Sequence, residues 1–203
     1  MPEREYLPWR AHPWHGLPVG PEPPALVTAY IEMTSYDTVK YEVDKATGYL
    51  KVDRPQLGAS SPPTLYGFIP RTYCGTRVAA LSPGAALADG DPLDICVLAE
   101  RPIQRADILL TARVVGGLRM IDAGEADDKL VAVLNNDPMW HMVEDLGDLP
   151  ATLIDRLEHY FATYKAVPGS EVEVAIEARY GCDHARRVVT ASMEDYEERF
   201  GIA

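Results

Sequence analysis

Cysteine is scarce in this 203-residue chain, which contains only Cys74, Cys96 and Cys182. The three are odd in number and widely spaced, and none lies in a CxxC or Cys/His metal-binding pattern. The sequence therefore predicts neither a disulfide framework nor a zinc site. We expect reduced thiols in a cytoplasmic protein.

Long hydrophobic runs are also missing. The longest apolar stretches, Ile95–Ala99 and Ile108–Leu118, are well short of the roughly 20 residues that span a bilayer. Residues Met1–Arg10 carry charges and prolines where a secretory signal needs an apolar run. We therefore expect neither membrane insertion nor a signal peptide.

Basic residues are outnumbered, with 19 Lys and Arg against 31 Asp and Glu, a formal net charge of −12. Nucleic acids are bound by basic surfaces, so this balance argues against a nucleic-acid partner. Carboxylates concentrated at a few positions are instead suited to hard cations such as Mg²⁺.

The chain is short enough for one domain, and we divide it into an extended, proline-rich arm (1–24) and a single folded domain (25–203). Apolar and polar residues alternate over Val39–Val43, which predicts a strand. The Lys-Ala-Thr-Gly turn at Lys45–Gly48 leads into Tyr49–Val52, so a hairpin is predicted here.

Further strands are predicted at 95–98, 108–115 and 129–134, and apolar residues at spacings of three and four predict helices over 150–166 and 185–200. The alanine-rich stretch Ala79–Ala88, interrupted by Pro83 and Gly84, is interpreted as an inserted loop. Many short strands followed by helices favour an α+β domain, built on a small closed barrel with two main helices packed outside.

The strongest local signal is the segment Asp89–Asp94, which holds three carboxylates in six residues and leads into an apolar strand. Pro92 forbids a regular helix there, so the carboxylates lie on a rigid loop. An EF-hand is rejected, because its fifth and sixth positions fall on Leu93 and Asp94 rather than on an oxygen ligand and a glycine. The other alternative is an ordinary solvated acidic turn.

A second acidic segment, Asp122–Asp128, again lies at a strand junction, and the two segments could face each other across a cavity. Lys40 and Glu42 lie two residues apart on one strand face. Basic residues interspersed among carboxylates suit a polyanion bridged by metals. His12 and His15 could suggest a metal pair, but two histidines without further ligands are more often packing residues.

Six motifs occur in order along the chain: Lys40–Lys45, Val52–Arg54, Tyr66–Pro70, Asp89–Asp94, Asp122–Lys129 and Tyr164-Lys165. As an ordered set they resemble the family I soluble inorganic pyrophosphatases over roughly residues 14–165. The arm, with its His-Pro-Trp-His sequence, is similar to the plant-type branch. The resemblance implies an OB-like five-stranded barrel, pyrophosphate as substrate, several Mg²⁺ ions, and a homo-oligomer, with a hexamer favoured and a trimer possible.

The resemblance also implies roles for individual residues. Asp91 matches the general base, and Glu32 matches a cavity carboxylate. The metal ligands are expected to be Asp89, Asp94, Asp122, Asp127 and, with substrate bound, Glu42. The phosphate-binding residues are expected to be Lys40, Arg54, Tyr66, Lys129, Tyr164 and Lys165. The seven carboxylates and four basic residues of this set leave a charge of −3, so metals are needed before pyrophosphate can bind.

The chain departs from the family pattern at Pro62 and Leu65, at Ala123, in the insertion before Asp89, and in 169–173, which lacks the usual lysines.

Two other functions remain open. Metal chemistry alone equally allows a phosphohydrolase acting on nucleotides or phosphate esters. An OB-like architecture also allows a non-catalytic binding module, although such modules bind oligonucleotides through basic grooves.

Overall fold

A computed structural model describes residues 10–56, 58, 61–166 and 174–201. In these ranges the chain forms ten strands: β1 (Leu26–Met33), β2 (Val39–Val43), β3 (Leu50–Pro55), β4 (Leu65–Phe68), β5 (Leu87–Ala88), β6 (Asp94–Leu98), β7 (Ile108–Asp122), β8 (Glu125–Ala126), β9 (Lys129–Leu134) and β10 (Val174–Gly181). It also forms the helices α1 (Thr76–Ala80), α2 (Ala151–Thr163) and α3 (Cys182–Phe200), with one 3₁₀ turn at Leu146–Asp148.

Five strands pair in the order β1-β4-β6-β9-β7, and β7 pairs again with β1, so that the pairing continues around a ring. The length of β7 makes this possible. Its first half pairs with β1 and its second half with β10, while its middle pairs with β9 across a register shift between Val114 and Gly116. The sheet-dominated α+β class predicted from the sequence is confirmed.

Strands β6 and β9 run parallel, whereas β6 pairs antiparallel with β4 and β9 antiparallel with β7. In the β6–β9 register, Asp94 lies opposite Lys129. Because parallel neighbours begin at the same edge of a sheet, the loops that precede β6 and β9 lie side by side. These are the two acidic loops of the sequence.

The predicted hairpin is present as a separate two-stranded sheet formed by β2 and β3. Its turn is closed by backbone hydrogen bonds between Asp44 and both Gly48 and Tyr49. Lys40 lies opposite Arg54 in the register, so two basic residues predicted to bind phosphate are cross-strand neighbours.

Both main helices pack an apolar face against the sheet. In α2 the buried residues are Ile154, Leu157, Tyr160 and Phe161, at the spacing of one helical face. Helix α3 buries Ala185, Val188, Val189 and Tyr196 among others, and it ends at Gly201 with a left-handed φ of 64°. The predicted helices are confirmed, although α3 begins three residues before the predicted start.

The interpretation of Ala79–Ala88 as a loop is wrong in part, because α1 includes Ala79 and Ala80 and β5 comprises Leu87 and Ala88. Strand β7 continues to Asp122, beyond the predicted 108–115. Strands β4 and β10 were not predicted. β4 has only four residues, too short for a clear alternating pattern. The first predicted helix, α2, ends at Thr163, three residues before the predicted end at 166. Pro168 and Gly169, the stop signal that follows it in the sequence, lie outside the described residues.

The described part of the arm, from Arg10 onward, packs on the domain. Trp14 donates its indole N–H to the carbonyl oxygen of Thr72 (2.8 Å), and its own carbonyl oxygen accepts the backbone N–H of Arg71 (2.8 Å). The Nδ1 atom of His15 lies 2.6 Å from the hydroxyl oxygen of Tyr196. His15 therefore makes packing contacts with α3. No helix in the described part of the chain is long and apolar enough to cross a membrane.

Candidate active site

One cavity of about 250 Å³ collects the site residues predicted from the sequence. All twelve residues predicted to bind metal or phosphate or to act as the base line it, as does Glu32. The carboxylates are Glu32, Glu42, Asp89, Asp91, Asp94, Asp122 and Asp127, and the basic residues are Lys40, Lys45, Arg54, Lys129 and Lys165. Aromatic residues complete the wall, namely Trp14, Tyr66, Phe68, Tyr160, Phe161 and Tyr164.

Several parts of the fold supply these side chains. The loop before β6 carries Asp89 and Asp91, and the short connection from β8 to β9 carries Asp127. Asp122 is the last residue of β7, and Tyr164 with Lys165 follows the end of α2. The hairpin β2–β3 closes the remaining side with Lys40, Glu42 and Arg54. The parallel pairing of β6 with β9 is what brings the two acidic loops together.

Lys129 lies between two of the carboxylates. Its Nζ is 2.5 Å from Asp94 Oδ2 and 2.5 Å from Asp127 Oδ1, while its side chain is 3% exposed. Burial alone would lower the pKa of Lys129, but the charges of Asp127 and Asp94 outweigh burial and hold the pKa well above its ordinary value. Lys129 is therefore a buried cation that two aspartates share.

Tyr66 adds a neutral donor to the same group. Its hydroxyl donates to Asp94 Oδ2 at 2.5 Å. Burial, together with the negative charge of Asp94, raises the pKa of Tyr66 well above its usual range, so the phenol stays protonated.

Burial raises the pKa of three carboxyl groups in the cavity, those of Asp94, Asp89 and Glu32. Burial, and then the charges of Asp127 and Asp94, raise the pKa of Asp89 to about 8. Burial raises the pKa of Glu32 to about 8, although its Oε1 accepts the Val43 backbone N–H at 2.6 Å. Both shifts follow from crowding negative charge in a poorly hydrated space.

On the hairpin side of the cavity, the basic groups contact a carboxylate that the sequence analysis missed. Asp53 Oδ2 lies 3.0 Å from Lys40 Nζ and 2.5 Å from Arg54 Nη1. Lys40 is also 3.3 Å from Glu42, as expected for residues two apart on one strand face. The register of the predicted hairpin could have pointed to Asp53, since Lys40 and Arg54 are cross-strand partners.

Lys45 is a second residue that was missed. It lies at the hairpin turn and forms an ion pair with Asp91, while Lys165 forms one with Asp122. With Lys45 included, seven carboxylates face five basic groups, which gives a formal balance of −2 rather than −3. No local pattern in the sequence shows that this turn folds over the loop of Asp91.

The oxygen-rich donor set fits Mg²⁺ in its chemistry, since this ion is bound by carboxylates and water. Among the described residues, no three His, Cys, Asp or Glu side chains surround one point in the manner of a finished metal site. Four ion pairs account for this, because the ammonium groups of three lysines contact Asp91, Asp94, Asp122 and Asp127. Asp94 and Asp127 nevertheless share one cation, so their separation suits a shared metal. The assignment of metal ligands stays a prediction.

A profile of the family described as inorganic pyrophosphatase matches residues 29–197. The chain belongs to the inorganic pyrophosphatase family. Curated members include a protein of Chlamydia caviae named inorganic pyrophosphatase, 46% identical over 199 residues, with 93% of this chain and 92% of that protein covered. A soluble inorganic pyrophosphatase of Zea mays is 37% identical, covering 93% of this chain and 80% of that protein.

Solved structures in the family have the same fold. The crystal structure of inorganic pyrophosphatase from Thermus thermophilus matches with a TM-score of 0.79 at 33% identity, covering 92% of this chain and 99% of that one. The family resemblance stated from the sequence is thus confirmed. The family match continues beyond residue 165 and takes in most of α3.

Proposed function

We propose that this chain hydrolyses inorganic pyrophosphate to two phosphates. The observation that carries the proposal is the convergence of seven carboxylates and five basic groups on one cavity, in a chain of the inorganic pyrophosphatase family. A small, highly charged anion needs both kinds of group, cations to bind it and carboxylates to hold the metals that accompany it.

The cavity favours a small anion as substrate. Its volume of about 250 Å³ is below the range typical of sites for drug-sized ligands. Lys40 and Arg54 on the hairpin line the cavity together with Lys129 and Lys165, so that several basic groups are available to the two phosphoryl groups of a pyrophosphate. Tyr66 and Tyr164 supply neutral hydroxyl groups for phosphoryl oxygens.

The binding of metal ions by the cavity is part of the proposal. Asp89, Asp94, Asp122 and Asp127, joined by Glu42 when substrate is bound, are the proposed ligands. Mg²⁺ bound there would offset the negative charge of the cavity and substrate, and it would lower the pKa of the attacking water.

The chain's own groups then position the reactants and move one proton. Asp91 accepts the proton of the attacking water, and its location on a loop fixed by Pro92 keeps it at the cavity wall. The lysines and Arg54 hold the two phosphoryl groups and offset charge on the departing phosphate. Of the described residues that line the cavity, none is Ser, Thr, Cys or His, so a covalent route would need a nucleophile of another kind, such as a carboxylate. Because the carboxylates are assigned to metal binding and proton transfer, direct attack by water without a covalent intermediate is the proposed route.

Three further expectations belong to the proposal: a closed barrel, a cytoplasmic location and self-association. The ring β1-β4-β6-β9-β7 supports a closed five-stranded OB-like barrel. The free thiols of the three cysteines support a cytoplasmic location. Exposed apolar side chains such as Met139 and Met142 support self-association, and we propose a homo-oligomer, with a hexamer favoured and a trimer possible. Sedimentation analysis would measure its size.

Phosphate release is the direct test of the proposed activity. Pyrophosphate, ATP and a simple phosphate ester would be compared, each with Mg²⁺ and with a chelator. We expect release from pyrophosphate to dominate and to stop when the metal is removed. Faster release from ATP or the ester would instead support the broader phosphohydrolase. Tight single-strand binding without any hydrolysis would support a binding module.

Asp91→Asn tests the assigned proton acceptor. We expect a loss of turnover of about 10²-fold or more with the fold retained, because the amide cannot accept the proton. Lys45→Gln is the matched control, since it removes the same ion pair while leaving the carboxylate. Near-normal turnover in Asp91→Asn, or an equal loss in Lys45→Gln, would remove Asp91 from this role.

A further inference from the structure

Helix α3 is joined to α1, at the start of the segment 74–88, by one buried carboxylate. Asp195, whose side chain is 3% exposed, accepts backbone N–H groups from Gly75 (3.0 Å), Arg77 (3.1 Å) and Val78 (3.1 Å). It also accepts Nη1 of Arg77 at 3.0 Å. These donors lie in and just before α1, whose five residues are too few for a stable isolated helix. The carboxylate therefore stabilises the first turn of α1.

The contact of Asp195 with the start of α1 is called the joint below. The residue before it, Cys74, is hydrogen-bonded to the loop that carries Asp89 and Asp91. Cys74 donates its backbone N–H to the carbonyl oxygen of Asp91 (2.8 Å), and its own carbonyl oxygen accepts the N–H of Gly90 (3.1 Å). Within that loop, the Asp91 N–H donates to Asp89 Oδ1 at 3.0 Å. A displacement of Cys74 would therefore move both carboxylates.

The far end of the same segment contacts the second acidic loop. Strand β5 pairs in parallel with β8, and the Ala86 N–H donates to the Gly124 carbonyl oxygen at 3.2 Å. Ser82 Oγ donates to the buried carboxylate of Asp128 at 3.1 Å, directly beside Asp127. The segment 74–88 therefore bridges the two loops that supply the proposed metal ligands.

We propose that Asp195 is a positioning residue, which fixes the segment 74–88 against α3 and thereby holds in place the loop of Asp89, a proposed metal ligand, and Asp91, the proposed proton acceptor. The inference rests on the proposed function, because it assigns Asp195 a task only if the two loops bind Mg²⁺. Asp195 itself does not line the cavity. Its effect passes through Gly75 and Cys74 to Gly90 and Asp91.

Asp195→Asn tests this role, because the asparagine side chain has nearly the same size and shape as that of aspartate. The three backbone N–H groups share Oδ2 while Oδ1 accepts Nη1 of Arg77, so the new NH2 group faces donors in either orientation. The substitution also removes the negative charge, so the contact is weakened. Outer groups that orient metal ligands typically contribute 10- to 100-fold to metal affinity, so we expect the dissociation constant of Mg²⁺ to rise by about tenfold or more. Calorimetric titration of the metal-free full chain with Mg²⁺ alone measures it, without any turnover.

Asp145→Asn is the matched control. Asp145 also accepts two backbone N–H groups, from Cys182 (2.8 Å) and Gly147 (3.1 Å), and it lies at the opposite end of α3. The same chemical change there should lower the melting temperature without changing Mg²⁺ affinity. In Asp195→Asn, turnover should recover at high Mg²⁺, because the groups proposed to touch pyrophosphate are unchanged.

The outcomes separate the two proposals. Equal Mg²⁺ affinities in wild type and Asp195→Asn, or an equal loss in both variants, would overturn the positioning role while leaving the proposed function intact. A wild-type chain that binds no Mg²⁺ would contradict the metal part of the proposed function, and the role of Asp195 with it.

Gly75→Ala is the second variant, should Asp195→Asn fail to fold. A β-carbon on Gly75 would lie 2.9 Å from the carboxyl carbon of Asp195, closer than such atoms normally approach, so it strains the same joint while keeping the charge. Weaker Mg²⁺ binding in a folded Gly75→Ala protein would support the proposal. Unchanged binding would overturn it.

Discussion

Lys129 keeps its charge where burial alone would remove it, because Asp94 and Asp127 both contact its ammonium group. Without a metal, this single cation offsets part of the negative charge of Asp94 and Asp127. Removing one member of a buried ion group leaves the others uncompensated, which costs more than the pair itself contributes.

Lys129→Met should therefore destabilise the metal-free protein by about 3 kcal/mol or more. Mg²⁺ should restore more stability to this variant than to the wild type, since the ion can replace the missing positive charge. Thermal unfolding in chelator and in Mg²⁺ measures both effects. Lys40→Met is the control, because its ion pairs are more exposed and should contribute about 1 kcal/mol or less. Equal stability of wild type and Lys129→Met in chelator would contradict the argument.

The raised pKa of Glu32 predicts that the stability of the metal-free protein depends on pH. Its pKa is about 8 in the fold against 4.5 in the unfolded chain, so between these values the folded state binds more protons. Stability contributed by this proton is present below about pH 4.5 and is lost as the pH rises through about 8.

Glu32→Gln removes this titration while keeping an oxygen for the Val43 N–H. The variant should gain about 1 kcal/mol or more in unfolding free energy relative to wild type at pH 8, and much less at pH 5. Denaturant unfolding in chelator at both pH values measures the difference. The same difference at pH 5 and pH 8 would show that Glu32 is not the titrating group.

At the scale of elements, the turn between β7 and β8 departs from its preferred sequence. Asp122 pairs with Glu125, so the connection is the two residues Ala123 and Gly124, both with positive φ (51° and 85°). Two-residue turns of this kind favour Asn-Gly, because alanine is strained at positive φ whereas asparagine tolerates it.

Ala123→Asn should stabilise the protein by about 0.5–1 kcal/mol, since residue 123 is exposed and the change relieves only local strain. Mg²⁺ affinity should stay unchanged, although Asp122 is adjacent. The melting temperature measures the gain, with Gly124→Ala as the opposite control, expected to destabilise. A melting temperature of Ala123→Asn at or below wild type would refute the assignment of strain.

The elements differ in how well the sequence predicts them. The hairpin, α2 and α3 were predictable because each has its own local periodicity and its own turn or cap residues. The pairing of β6 with β9 was not predictable from the sequence, since it joins residues 35 apart in the chain and depends on the whole ring. The same limit applies to the site: ordered motifs identified the residues that line the cavity, whereas the contact of Lys45 with Asp91 depends on tertiary packing.

At the scale of the whole molecule, the net charge of −12 and the acidic cavity predict that divalent cations stabilise the fold. A ligand that binds only the folded state adds stability by mass action, about 2.7 kcal/mol at 100 times its dissociation constant. Mg²⁺ should therefore raise the melting temperature far more than NaCl of equal ionic strength, which only screens exposed charges. Equal shifts with the two salts would mean that no specific site is filled.

The parallel pairing of β6 with β9 also has a consequence during biosynthesis. A nascent polypeptide that ends before Lys129 already carries Asp89 and Asp94, but it has neither the neighbouring strand nor the ammonium group that Asp94 meets in the folded protein. Tyr164 and Lys165 leave the ribosome later still. With the site roles proposed above, catalytic competence therefore arises only after Lys165 has been synthesised, and a product terminated before that residue should not hydrolyse pyrophosphate.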